Sequence, residues 1–242
     1  ESSLLMDAFN ILLEEDICRT NPQALEKLTG WVNARDAGRQ PAAMYAMGSL
    51  LLAKDDLAGA VKMAEDGLSK YPQSLPVQPL SLNTITTLLD KNRVEDAERL
   101  ISKYPGTSPG LVFQQGALAF RKGDYPLAQS LFREAARRAS EKTAESALFN
   151  ENLAALNAND AAGAAALVKE AAGSAQLREH ILFEQAHYAA KRMNPQAPEL
   201  LASFVALATD PALKTQARLD QAEVALNLNP PDLETVQAIL PP

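Results

Sequence analysis

The chain has 242 residues, room for one large domain or a short repeat array, and 47% of it is hydrophobic, mostly Ala and Leu, with only 5% aromatic. Ala and Leu are the strongest helix formers and a low aromatic fraction is poor strand material, so an all-helical chain is expected. The net charge is −7, with acidic residues spread along the chain. This argues against sequence-independent nucleic-acid binding, which needs clustered Lys and Arg, and no apolar stretch approaches the roughly 20 residues of a membrane span.

In chain order, Ser3 to Cys18 is amphipathic, with Leu4, Leu5, Phe9, Leu12 and Leu13 on one side. Asn21-Pro22 starts a second helix carrying Leu25, Leu28, Trp31 and Val32. Together they predict a helical hairpin over residues 1–40 that caps the N-terminal end of a helical array. Next comes the clearest unit, Pro41 to Ser74. The pattern predicts a helix over Ala42–Ala53, a turn at Lys54-Asp55-Asp56 with Asp56 as N-cap, and a helix over Leu57–Ser69 that stops before Tyr71-Pro72. Gly48 and Ala60 fall where the two helices of such a hairpin would cross.

This arrangement returns. Alanines at Ala60, Ala97, Ala128 and Ala164 mark units over 41–74, 78–105, 109–140 and 145–173, at spacings of 37, 31 and 36 residues. The second unit is degenerate: Ile85 replaces a small residue and Tyr104-Pro105 closes it early. Beyond the fourth unit, residues 174–242 read as less regular helices over Gln176–Met193, Pro198–Ala208, Pro211–Asn227 and Pro231–Leu240, separated by Pro, Asn or Asp. About twelve helices, or six hairpins, are expected. The chain begins at Glu1 rather than Met and ends in Pro241-Pro242, as a processed chain or a piece of a longer one would.

The pattern resembles the tetratricopeptide repeat family, whose units are about 34 residues long. The first unit carries Met44, Met47, Gly48, Leu51, Ala60, Ala64, Gly67 and Pro72; the third carries Val112, Gly116, Ala128, Phe132 and Ala135 with the turn Gly123-Asp124-Tyr125; the fourth carries Leu148, Ala164 and Ala171 with Asn159-Asp160 at its turn. The resemblance covers about residues 41 to 173. It implies an all-α, right-handed α-α superhelix in which the first helix of each unit lines a concave face. Loosely conforming, Ala-rich repeats of this kind occur in bacterial proteins, including envelope proteins that scaffold secretion or polysaccharide export, so the resemblance leans toward a bacterial envelope.

No chemistry stands out beside that architecture. His180 and His187 are seven residues apart on one predicted helix with Glu184 between them. The two imidazoles would be about 10 Å apart along the axis, beyond the reach of one metal. Cys18 is the only cysteine, so no internal disulfide can form, and no partner marks it as a nucleophile. Glu14-Glu15-Asp16 point in different directions on a helix. Arg133, Arg137, Arg138 and Lys142, interrupted by Glu134 and Glu141, read as a solvated helix face. No catalytic residue, metal ligand or cofactor is assigned.

Function is therefore expected in the groove. Carried residue by residue, the resemblance places Tyr45, Ser49 and Leu52 of the first unit there, with Leu82, Asn83, Thr86 and Leu89 of the second. The third contributes Phe113, Gln114, Ala117, Phe120 and Arg121, and the fourth Phe149, Asn150, Leu153, Leu156 and Asn157. Asn83, Gln114 and Asn150 occupy one recurring position, beside a second row of Tyr45, Leu82, Phe113 and Phe149. Amides donate and accept at once, which suits an extended peptide backbone; a partner helix is the other candidate. The clamp with which chaperone-binding relatives grip a C-terminal carboxylate would fall on Tyr45, Ser49, Asn83, Gly110 and Gln114, of which only Asn83 matches. The expected function is a non-catalytic scaffold for a protein or peptide. Two alternatives are a structural spacer or self-associating module and an α-helical hydrolase; the latter would need two facing carboxylates in a closed cavity.

Overall fold

A computed structural model describes residues 20–34, 38–228 and 230–239. The expectations for Ser3–Cys18, including Cys18 and Glu14-Glu15-Asp16, and those for the two chain ends lie outside the described residues. Among the described residues there are thirteen α-helices, one short 3₁₀ turn and no strand, so the fold is all-α. The contacts divide the chain into two compact units, one through Asp124 and one from Tyr125. The division falls inside the third unit read from the sequence.

The first unit holds α1 (Pro22–Asn33), α2 (Gln40–Ala53), α3 (Leu57–Lys70), α4 (Val77–Asp90), α5 (Val94–Lys103) and α6 (Pro109–Arg121). Each packs on its successor, and α2 also packs on α4, α3 on α5 and α4 on α6. The second unit holds α7 (Tyr125–Arg138), α8 (Glu141–Asn157), α9 (Ala161–Glu170), the 3₁₀ turn Ala171–Gly173, α10 (Ala175–Lys191), α11 (Ala197–Leu207), α12 (Pro211–Leu226) and α13 (Leu233–Ile239). There α8 packs on α10 and α10 on α12, besides the contacts between successive helices.

One local device ends five of these helices. Asp55, Asn92, Gly123, Asn159 and Met193 all have positive φ, between 51° and 79°. In each case the next amide reaches back to the carbonyl five residues earlier: Asp56 to Leu51 (2.9 Å), Arg93 to Leu88 (2.7 Å), Asp124 to Ala119 (3.0 Å), Asp160 to Ala155 (2.9 Å) and Asn194 to Ala189 (2.9 Å). This is the left-handed C-terminal cap that satisfies the last carbonyls and turns the chain. A small buried residue comes after each turn: Ala60, Ala97, Ala128, Ala164 and, after the fifth, Ala197. The fifth turn lies in the C-terminal stretch, where Met stands in place of Asn, Asp or Gly and hides it from a composition-based reading.

The next helix begins at a cap where the sequence supplies one. Asp56 Oδ1 accepts from the Gly59 amide and Asp160 Oδ1 from the Gly163 amide, each at 2.9 Å. The packing needs small residues at close approaches. A methyl group added at Gly48 of α2 would overlap the Leu80 side chain of α4, and one at Gly67 of α3 would lie 3.1 Å from Val77. Tyr71, just past α3, donates to Gln40 Oε1, and Gln40 Nε2 donates to the Val32 carbonyl (2.6 Å), which ties α1, α2 and α3 together.

Gly48→Val is expected to lower the unfolding free energy by about 1–3 kcal/mol in urea titration, because Leu80 cannot retreat without loss of packing. Met193→Gly is expected to raise it by about 0.5–1 kcal/mol, since Met193 is 47% exposed and its left-handed backbone strains any residue with a Cβ.

Candidate functional site

In the first unit the expected groove residues lie on α2, α4 and α6. Tyr45 is half-buried and packs on the Leu80–Ile85 core; Ser49, Phe113 and Phe120 are half-buried; Asn83, Thr86 and Arg121 are exposed. Gln114 is only 8% exposed. Its Nε2 donates to Thr86 Oγ1 (2.7 Å), whose hydroxyl donates in turn to the Leu82 carbonyl (3.0 Å). The amide expected to face a ligand thus joins α6 to α4. Arg121 approaches Asp90 at 3.7 Å.

In the second unit Phe149 and Asn150 of α8 face α10 across an open cleft of about 320 Å³. Ser146, Phe149 and Asn150 line one side, Gln176, Leu177 and His180 the other, with Lys142 and Glu145 at the rim. Phe149 and His180 meet edge to face, their centroids 6.3 Å apart at 69°. Asn150 Nδ2 donates to the Ser146 carbonyl and Asn157 Nδ2 to the Leu153 carbonyl, both at 2.8 Å, so each amide oxygen remains as an acceptor. His180 was not among the expected groove residues. The signal for it was the repeat itself, since it stands 34 residues after Ser146.

Polar contacts join residues about one repeat apart throughout this unit. Gln129 bonds Asp160 (3.0 Å), Gln185 bonds Asn152 (2.9 Å) and also the Ala164 carbonyl (2.8 Å), and Arg192 bonds Asn159 (3.0 Å). Lys191 pairs with Glu223 (2.7 Å). His187 Nδ1 lies 2.6 Å from Oδ2 of Asp220, a carboxylate only 1% exposed whose other oxygen accepts from Gln216 (3.1 Å). The His187 ring stacks on Phe183 at 5.4 Å. The two histidines therefore serve different neighbours. Among the described residues, no group of three His, Cys, Asp or Glu side chains is placed to hold a metal, and no helix is long and apolar enough to cross a membrane.

Burial sets the electrostatics. Glu151 of α8 is fully buried, and Arg133 Nη2 of α7 approaches its Oε1 at 2.5 Å as an ion pair without the alignment of a hydrogen bond. Burial pushes the Glu151 carboxyl above the usual carboxylate range, against the pull of Arg133. Arg133, read from the sequence as part of a solvated face, thus answers a buried charge. Glu184 is likewise raised by burial, opposed by His187 and His180 and reinforced by Asp220. Glu179 goes the other way, lowered by hydrogen bonds from the Thr209 hydroxyl and the Asp210 and Thr209 amides that hold the start of α12 to α10.

Comparison with protein-family models, with curated proteins and with solved structures finds no match to this chain.

A carboxyl raised in the folded state stabilises it in acid, and that contribution is lost as pH rises from the ordinary carboxylate value through the raised one. Glu151→Gln is expected to flatten this part of the stability–pH profile and to stabilise the chain by about 1 kcal/mol at pH 7, since Arg133 is partly exposed and can be rehydrated. Thermal unfolding of both forms between pH 4 and pH 8 is the measurement; a parallel pair of curves contradicts the assignment.

Proposed function

We propose that the chain is a non-catalytic scaffold of tetratricopeptide type, a right-handed α-α superhelix of about six hairpins that offers the first helix of each hairpin to a peptide. The observation that carries this reading is the recurrence of one turn. Five left-handed caps, each succeeded by a small buried residue, stand 37, 31, 36 and 34 residues apart. Within each unit the helices preceding the caps pack on one another, α2 on α4 and α4 on α6, then α8 on α10, and α10 packs in turn on α12, which ends without such a cap. Helices repeated this way form a row, and a row of helices makes a groove whose side chains come from equivalent positions. The cleft at Phe149 and Asn150 lies between two members of that row, with an apolar floor and unspent amide acceptors suited to an extended backbone.

A second reading, self-association through the C-terminal helices, is favoured by large exposed apolar side chains there, Leu207 (71%) and Leu233 (58%) among them.

Screening a library of short fluorescent peptides against the purified chain, with light scattering at rising protein concentration, separates the two. A scaffold binds peptides as a species of constant size. Asn150→Ala is expected to weaken the best peptide by about 1 kcal/mol, a factor of about five, with little change in stability. Concentration-dependent size without peptide binding favours the second reading.

A further inference from the structure

Glu184 is a half-buried carboxylate of the second unit, on the side of α10 that carries His180. It stands on α10, 34 residues after Asn150 and one turn beyond His180, so it continues the Asn150 position into the next repeat. The residue is half-buried, and no hydrogen bond or ion pair reaches its carboxylate from the described residues. The basic side chains that follow it on α10 have other partners. His187 faces the buried Asp220 at 2.6 Å, Lys191 pairs with Glu223, and Arg192 lies 4.5 Å over the Tyr188 ring while it bonds Asn159. His180 meets Phe149 edge-on. Asp220, packed against α10 from α12, adds a second carboxylate to the same neighbourhood.

A carboxylate withdrawn from water without a partner is costly, and a cation arriving from a ligand would relieve that cost where the surroundings are already partly dry. The adjoining cleft offers what the stem of such a side chain needs. The Phe149 ring and Leu177 are apolar, and an aromatic face attracts a cation. We propose that the groove face of the second unit recognises a peptide through a lysine or arginine side chain, its charged head at Glu184 and its flanking backbone along Asn150 and Gln176. This rests on the peptide-scaffold reading and names the partner that reading left open: a basic segment, not an acidic tail.

The test is fluorescence anisotropy with short labelled peptides that differ at single positions, as lysine, arginine, norleucine or glutamate. One position is expected to demand lysine or arginine, with norleucine there about tenfold weaker. Glu184→Gln is expected to weaken the basic peptide by about the same factor and to leave the norleucine peptide unchanged, so that the two changes together cost no more than either alone. Peptides that bind with no preference for a basic residue, or a preference that survives in Glu184→Gln, overturn the assignment and leave the scaffold reading standing. No binding by any peptide overturns both. The peptide-side substitution needs no altered protein, so the test holds even where Glu184→Gln disturbs folding.

Discussion

The helices of this chain are organised by how they stop. At each of five C-termini one residue takes the left-handed conformation, and the following amide closes on a carbonyl five residues back. That bond consumes carbonyls a free helix end would leave to water, and it fixes the exit direction within about two residues. Within each unit the next helix starts only a few residues later and packs on the one just ended, α3 on α2 and α5 on α4, then α9 on α8 and α11 on α10, with a buried alanine near its start. A larger side chain after the turn would push the helices apart whatever the rest of the sequence favoured. Helix length, pairing and the repeat distance all derive from this combination of cap and small residue.

Apolar and polar contacts divide the labour between different helix pairs. Core clusters such as Leu68, Leu80, Leu88 and Leu100 join each helix to its neighbours and supply most of the burial. Contacts between first helices one repeat apart are instead often polar: Thr86 to Gln114, Asn152 to Gln185, His187 to Asp220. Apolar surfaces tolerate sliding, whereas a buried amide or carboxylate finds its partner in one register only. The polar rungs thus hold equivalent positions of successive helices opposite one another, at some cost in stability where a charge is buried.

Much of the local architecture was legible in the sequence. Asp56 could be read as an N-cap and α3 as ending before Tyr71-Pro72, because cap chemistry acts within a few residues; Gly48 is a close approach, but to Leu80 of α4 in the next hairpin rather than to α3 of its own. The fifth turn was hidden because Met193 adopts a backbone its residue type disfavours, held there by the surrounding bonds rather than by propensity. The role of Gln114 was hidden for a different reason. An amide at a recurring position can face a ligand or a neighbouring helix, and only the placement of Thr86 shows that this one is taken up within the fold. Glu151 and Asp220 look in sequence like any solvated acid, and their burial comes from the helices packed against α8 and α12.

The same polar rungs shape what the groove face can attract. A rung that buries a carboxylate draws a basic side chain toward it, as Asp220 draws His187 and Glu151 draws Arg133. The Arg133 pairing takes up a positive charge that would otherwise balance nearby acids on the surface. Glu184 lies beside one of these rungs, on the same helix as His187 and one turn away, where burial and the Asp220 carboxylate disfavour its charge and the two histidines oppose them. In a partly dry position these interactions act over short range and are weakly screened by salt. The electrostatic character of the groove is therefore a consequence of how the repeats are held in register, and a change to the register pairs would alter recognition without touching a residue that meets the ligand.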